Sequence, residues 1–545
     1  MIPIATKRVL TNGKIFTAND NMPWAEAVVI DGNKIAFVGS TADANAAAGA
    51  DAQVEDLGGK LVTPGLIDGH LHVYAAIVLG GLLRLDALSP EEMLVKIRED
   101  VEANPDRPAY TGMGWFDFAF GEVGPNKADL DAICPDKPMA YLSASMHTVW
   151  CNSKALEAAG ITRDTPDIDA ASGVIYARDE NGEPTGYCKE IASMDKVMSA
   201  AKYFDDNMVE GATKAFEQMC ASNGVTSLVD CGAISFLKYL INDELCAEVD
   251  RDEYPLRLNF CGFAGVAGLY EMAFNDSVAY SKKYNGDRFF CNFYKLFEDG
   301  TLESFSAAIP KPYENGNIIK PIMSVDVLAQ KFEECAKAGI NVNIHAIGPE
   351  AIRNVLLAAG VVRDKGYKDI RITCSHCSYL YADDMALFGK NDVISDTTGL
   401  WCSDPKDEAT FKLVLDLTQA TPYPMKSILN SGTRVALGSD FPTDPTSFPP
   451  MQNIECLVTR RELGNPDALV HNPEEALTVE EIIKGYTINN AYQMQREDVL
   501  GSVEVGKYAD LTVFDQDLFE IDPYQIHNVK VAETIKDGLT TYKMQ

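Results

Sequence analysis

Short apolar runs broken by turn signals open the chain. Residues 8–10, 13–16, 27–30 and 34–38 have strand length and strand composition, and Asp31-Gly32-Asn33 between the last two is a tight hairpin signal. The far end has the same texture over 501–515 and 528–535. None of these strands is long enough to stand alone, so the two ends predict one composite β-sandwich domain, residues 1–62 with 498–545. Between them, apolar runs alternate with helical stretches. The runs fall at 66–72, 227–230, 257–261, 290–295, 341–345, 370–376, 393–395 and 434–440, and the helices include 208–222, 325–338, 349–360 and 425–431. Eight strands alternating with helices predict an α/β fold, a (β/α)8 barrel of TIM type over 63–497. The gap after the first strand is longer than one crossover helix needs. Residues about 105–205 therefore read as an inserted, loop-rich subdomain holding Trp115, His147 and Trp150.

In such a barrel the chemistry gathers where strands meet the loops that follow them. Leu61-Val62-Thr63-Pro64 leads into Gly65-Leu66-Ile67-Asp68-Gly69-His70-Leu71-His72. In an extended segment residues i and i+2 share a face, so His70 and His72 project together and can hold one divalent metal. The other polar strand ends are Lys295, His345, His376 and Asp440, which puts four of the seven histidines at one rim. Neutral imidazoles and a carboxylate suit Zn²⁺ or a related first-row ion. A lysine ammonium has no lone pair to give. Buried beside cations it loses its proton, and the amine can then take up CO₂ as a carbamate, an anionic oxygen ligand able to bridge two metals. A structural salt bridge is the other reading of Lys295.

Composition narrows the partners. A formal charge of −33 repels phosphate backbones and argues against nucleic acid. No run of eighteen apolar residues exists, and Met1–Lys7 carry no charged-then-apolar signal segment, so no membrane is expected. Thirteen cysteines without regular spacing read as free thiols in a reducing cytoplasm. Cys374 and Cys377 spell C-x-x-C, but in a strand-like run i and i+3 face opposite sides, which speaks against a redox pair. His471 and His527 lie in polar, loop-like surroundings and read as surface residues. The composition leaves room for a homodimer.

Several segments carry a resemblance that runs almost the whole length: TPGLIDGHLHV (63–73), HTVWCNSKAL (147–156), GEPTGYCKE (182–190), KLFEDGTL (295–302), INVNIHAIG (340–348), ITCSHC (372–377), ALGSDFP (436–442) and GSVEVGKYADLTVFD (501–515). With these the chain resembles the amidohydrolase superfamily, in particular the amidohydrolase-3 group of YtcJ-like and N-substituted formamide deformylase-like metal-dependent hydrolases. The resemblance implies one or two divalent ions, Zn²⁺ foremost. It implies that His70 and His72 hold the first metal, that Lys295 bridges as an N-carboxylated side chain, and that His345 and His376 hold the second. It implies that Asp440 binds metal and shuttles the proton. The reaction implied is hydrolysis of a non-peptide, amide-type C–N bond in a small molecule by metal-bound hydroxide, with Asp440 passing the proton to the leaving nitrogen. Relatives often carry Arg-x-Glu-His at strand six, whereas Ser375 precedes His376 here and the acidic neighbour is missing. His147 is expected to contact substrate or the tetrahedral intermediate, the alternative being that it holds the insertion together. Trp115 and Trp401 are candidates to line an apolar pocket, although large aromatics are more often core. Two other functions stay open: a mononuclear deaminase, against which Lys295 argues, and a non-catalytic binding or regulatory barrel, against which the full set of six site residues argues.

Overall fold

The computed structural model describes residues 7–80, 82–86, 88–121, 123–144, 146–168, 173–204, 206–232, 241, 243–263, 269–302, 306–313, 318–403, 420–444 and 446–545. Most of the N-terminal stretch read for a signal segment, residues 1–6, lies outside these. Eight parallel strands follow one another round a barrel: β1 (Leu66–Leu71), β2 (Val225–Asp230), β3 (Arg257–Phe263), β4 (Phe289–Phe297), β5 (Asn341–Ala346), β6 (Ile372–His376), β7 (Val393–Thr397) and β8 (Val435–Leu437). Neighbours from β1 to β8 are paired throughout. The strands are buried nearly along their length, as parallel strands covered on both faces must be. The helices outside follow the apolar stripe. Val325–Ala338 buries Leu328, Phe332 and Cys335; Ser324 caps its start, and Gly339, at φ +72°, ends it in the left-handed conformation.

The seam between β1 and β8 closes without a regular ladder. Beyond the strands, Asp440 N–H donates to the His70 carbonyl (2.7 Å) and His72 N–H to the Phe441 carbonyl (2.8 Å). Lower down, Asn490 stands in for a strand partner. Its Nδ2 donates to the carbonyls of Ile67 (2.5 Å) and Leu437 (2.8 Å), and its Oδ1 accepts from Leu437 N–H (3.2 Å). A Cβ on Gly69 would lie 2.4 Å from Asn490 Oδ1, so only glycine lets that side chain approach.

Two further sheets form the β domain. Lys34–Gly39, Ala27–Asp31, Arg8–Thr11 and Gln53–Asp56 make one; Leu539–Lys543, Val531–Lys536, Leu511–Phe514, Leu61–Pro64, Lys14–Phe16 and Trp24–Ala25 make the other. Leu10, Val28 and Ile35 from the first sheet share a core with Ile15, Val62, Leu511 and Ile535 from the second. The strand Leu61–Pro64 runs through Gly65 straight into β1, so this domain anchors the strand that carries the first histidine pair.

Residues 105–205 are richer in structure than expected. A six-stranded mixed sheet runs in the order Tyr176–Arg178, Pro184–Lys189, Thr148–Cys151, Met139–Ser143, Tyr110–Trp115 and Leu83–Arg84, so its edge strand lies upstream of residue 105. Its strands are short and interrupted by Gly112, Gly114 and Gly186, which weakens any period-two signal. Among the described residues no helix is long and apolar enough to cross a membrane.

Charge locks the barrel floor to the β domain. Arg257, at the start of β3, is completely buried and pairs with Asp510 and Asp537. Asp537 also accepts from Arg288 Nε and forms an ion pair with Lys536 Nζ, each at 2.9 Å. Removing one partner of such a buried cluster costs about 3–5 kcal/mol, because the remaining charges lose their compensation. Arg257→Met is therefore expected to lower the urea midpoint sharply, and adding Asp510→Asn and Asp537→Asn should recover part of the loss. A midpoint unchanged in Arg257→Met would show that the cluster contributes nothing.

Candidate metal centre

The rim above the C-terminal strand ends collects the six predicted side chains. His70 and His72 leave the end of β1 on one face. His70 Nε2 lies 3.5 Å and His72 Nε2 3.3 Å from Asp440 Oδ1, and one ligand atom from each of the three residues lies within 4.8 Å of the others. Lys295, near the end of β4, is buried with Nζ 3.3 Å from His70 Nε2. The His376 ring packs 5.0 Å from that of His70 and 4.5 Å from that of His345, and His376 Nδ1 lies 3.9 Å from Asp440 Oδ2. Six side chains from the ends of five strands thus gather at one rim, and those of His70, His72 and Asp440 bring ligand atoms together.

Backbone conformation aims them. Asp440, at φ +52°, and His376, at φ +74°, are both left-handed, which turns each side chain inward as its strand ends. Such a conformation costs an L-residue about 1 kcal/mol and persists where the surroundings over-determine it. A Cβ on Gly438 would sit 2.4 Å from His70 N, so the glycine of Leu437-Gly438-Ser439-Asp440 is what lets β8 reach His70.

Hydrogen bonds fix the tautomers. His70 Nδ1–H donates to Asp396 Oδ2 at 2.5 Å, and His72 Nδ1–H donates to the Gly232 carbonyl at 3.1 Å, so both Nε2 atoms face Asp440. Ser375 Oγ–H lies within reach of Asp396 Oδ2 (3.0 Å) and Asn343 Oδ1 (2.6 Å), and Asn343 Oδ1 accepts from Lys295 Nζ (2.8 Å). Asp68 Oδ1 accepts from the backbone N–H of both His70 (3.2 Å) and Ser439 (3.0 Å).

Burial drives His70, His345 and His376 well below the ordinary imidazole range, with Lys295 or neighbouring histidines adding to the effect, so their neutral forms are favoured. Burial alone would also lower His72, but Asp440 outweighs it and raises His72. Burial would raise Asp440, yet His70, His72 and Lys295 hold it below the usual carboxylate range. Burial pushes Asp68 and Asp230 up to about 7 and Asp396 up to about 8. Two imidazole nitrogens and a carboxylate oxygen are the donor set a first-row divalent ion takes. Among the described residues no donor meets Asp440 Oδ1 at good hydrogen-bond geometry, buried and facing both Nε2 atoms though it is, and a cation satisfies such an atom.

Three expectations change. Trp115 is not at this rim: it is fully buried in the inserted sheet, packed against Phe120, Trp150 and Tyr187, with Nε1–H donating to the Tyr141 carbonyl (2.8 Å). Cys374 and Cys377 do not face opposite sides, because the left-handed pair His376 and Cys377 folds the chain back and brings Cys377 Sγ to the Cys374 carbonyl (3.1 Å); both thiols are buried and free. His527 is not a loose surface residue, since its Nδ1 bonds the buried Glu455 at 2.6 Å, and His471 is half-buried. Trp401, by contrast, stacks on the His376 ring at 5.9 Å and is only partly covered. His147 lies in the insertion, with Nδ1 bonded to Glu190 Oε2 at 2.8 Å, and is near enough for its charge to act on His345.

Sequence reasoning missed Asp396, Asn343 and Glu190. Ending the seventh strand at residue 395 left Asp396 one position outside, although a polar residue closing a buried run was the signal.

The chain matches the profile described as "Amidohydrolase family" over residues 53–542. It is 26% identical to the putative amidohydrolase YtcJ of Bacillus subtilis strain 168, over 98% of this chain and 99% of that protein. It is also 26% identical to the N-substituted formamide deformylase of Arthrobacter pascens, over 98% of each. Among solved structures it resembles an uncharacterized metal-dependent hydrolase from Pyrococcus furiosus, with TM-score 0.70 and 22% identity, covering 94% of this chain and 100% of that one; that likeness speaks for the fold.

Asp396 holds the tautomer of His70, and loss of such an outer partner weakens metal binding roughly 10- to 100-fold. Asp396→Asn is expected to raise the dissociation constant for Zn²⁺ by that factor, read by competition with a chromophoric chelator. An unchanged constant would show that His70 needs no such partner.

Proposed function

The chain belongs to the amidohydrolase family, and we propose that it hydrolyses an amide-type, non-peptide C–N bond of a small molecule. The observation that carries this reading is the convergence of His70, His72, Lys295, His345, His376 and Asp440 at the mouth of the barrel. His70, His72 and Asp440 would hold one divalent ion, with Zn²⁺ the best match to the donors. Lys295, if carboxylated, would join His345 and His376 around a second. Bound there, such ions supply an acidified water and polarise the carbonyl to be attacked.

The chain's own residues do the rest. Asp440 is held as a carboxylate by its histidine and lysine neighbours. It is the base that takes the proton from the attacking water and the acid that returns it to the leaving nitrogen. The neutral imidazoles of His70, His345 and His376 carry no proton that must be displaced before they bind metal. Phe297, stacked on His345 at 4.8 Å, and Trp401, stacked on His376, wall the mouth with apolar surface that excludes water from the reacting bond. His147, reaching in from the insertion, contacts the substrate carbonyl or its tetrahedral intermediate. The full set of six also favours an active enzyme over a binding protein.

Three measurements test this. A screen of N-formyl and N-acyl amines should find turnover that a chelator abolishes and Zn²⁺ restores; metal-independent turnover would refute the reading. Asp440→Asn should lower kcat roughly 10²- to 10⁴-fold while much of the bound metal, measured by mass spectrometry, remains. Unchanged kcat in that variant would remove Asp440 from the proton path. Carboxylation of Lys295 predicts a carbamate carbon resonance after exchange with labelled bicarbonate, absent in Lys295→Met; its absence from the wild type as well would leave Lys295 an uncarboxylated amine.

A further inference from the structure

Glu190 has no assigned role, and its conformation asks for one. Thr148–Cys151 and Pro184–Lys189 run antiparallel with Thr148 opposite Lys189, so the residues just beyond, His147 and Glu190, meet at the end of the sheet. Two hydrogen bonds join them. Glu190 N–H donates to the His147 carbonyl at 2.6 Å, and His147 Nδ1–H donates to Glu190 Oε2 at 2.8 Å. Glu190 is left-handed, at φ +68°, a conformation unfavourable for a residue with a Cβ. It also precedes the helix Ile191–Met198 as its cap, yet its side chain makes no capping bond. Capping positions favour short side chains that do make one. The segment forgoes an easy backbone and a cap, and in return a carboxylate is set against His147. Strain retained in this way points to function.

We propose that Glu190 is the positioning residue of His147, holding Nδ1 so that Nε2 is the nitrogen addressed to the substrate. The proposal rests on the reading of His147 as a substrate-contacting side chain. A carboxylate on Nδ1 favours the imidazolium. An imidazolium donates from Nε2 to the oxygen that gains negative charge as the carbonyl is attacked. Glu190 makes and breaks no covalent bond. Other charged groups stand nearby without taking its place. Asp117 accepts from Thr148 Oγ1 (2.7 Å) and Tyr187 OH (2.6 Å), and the Lys189 ammonium lies over the Tyr187 ring at 4.7 Å. His345 belongs to the metal centre, and the charge of His147 disfavours its protonation.

The test needs no known substrate. With only seven histidines, nitrogen-15 histidine labelling gives a readable spectrum, and the His147 signals are those lost in His147→Asn. In Glu190→Gln the proton affinity of His147 should fall roughly tenfold, and Glu190→Asp should restore part of it. An unchanged titration in a Glu190→Gln protein with native circular dichroism overturns the proposal. A kinetic arm uses the Zn²⁺-loaded protein with para-nitroformanilide. Glu190→Gln should lower kcat roughly tenfold with KM little changed, and should add nothing in a His147→Ala background. Additive losses overturn the proposal. Failure of the wild type to turn over the probe counts against the proposed reaction alone, since the titration decides Glu190 by itself.

Discussion

Everything at the rim depends on how the first and last barrel strands are joined. The two strands share no ladder, yet the rim residues are pinned to each other by main chain. The His70 carbonyl accepts from Asp440 N–H, and the Phe441 carbonyl accepts from His72 N–H. The distance between the histidine pair and the carboxylate is therefore set by backbone rather than by rotamers, which is how a site keeps its geometry within a fraction of an ångström. Asp68 adds a third tie, because one carboxylate oxygen accepts from N–H groups on both sides of the seam. Gly69 and Gly438 are the condition for all of it. A side chain at either would push Asn490 or His70 out of the seam.

That closure also decides the electrostatics. Taking Asp440 out of water should favour its neutral form, and the surrounding histidines and Lys295 reverse that preference. Around Asp68, Asp230 and Asp396 the neighbours do not outweigh burial, which leaves each of them raised. The site therefore separates its acids by environment. One carboxylate is held ionised between the histidines, and three stand around it as hydrogen-bonding struts. The same principle makes neutral imidazoles out of His70, His345 and His376, since the burial of their charge outweighs what Asp440 offers His70 and the Gly300 carbonyl offers His345.

The barrel and the strand-end residues were legible in the sequence because both follow from short-range rules. A strand buried on two faces must be apolar along its length, and a loop must break that run with something polar. His70, Lys295, His345, His376 and Asp440 stand where those rules intersect. The inserted sheet was less legible. Its strands are only two to six residues long and carry glycines, so no period emerges, and Trp115 looked like a pocket residue when it is the centre of a second core. The turn of Cys374 and Cys377 toward each other was not legible at all. It depends on two successive left-handed residues, which no apolar pattern announces.

Asp396 shows most plainly where a one-dimensional reading stops. Along β6, the acid that relatives often place before the histidine is absent, and Ser375 stands there instead. Read along the chain, that is a missing carboxylate. Read across the sheet, Ser375 pairs with Asp396 on β7, and its hydroxyl lies 3.0 Å from the carboxylate that holds His70 Nδ1. A serine is short enough to leave room for a neighbour's carboxyl group, whereas a glutamate in its place would set a second buried acid against Asp396, which burial already pushes up to about 8. The departure on one strand and the acid on the next are therefore one feature of the structure: the acceptor that holds His70 Nδ1 arrives from the adjacent strand, and the serine both makes space for it and bonds to it.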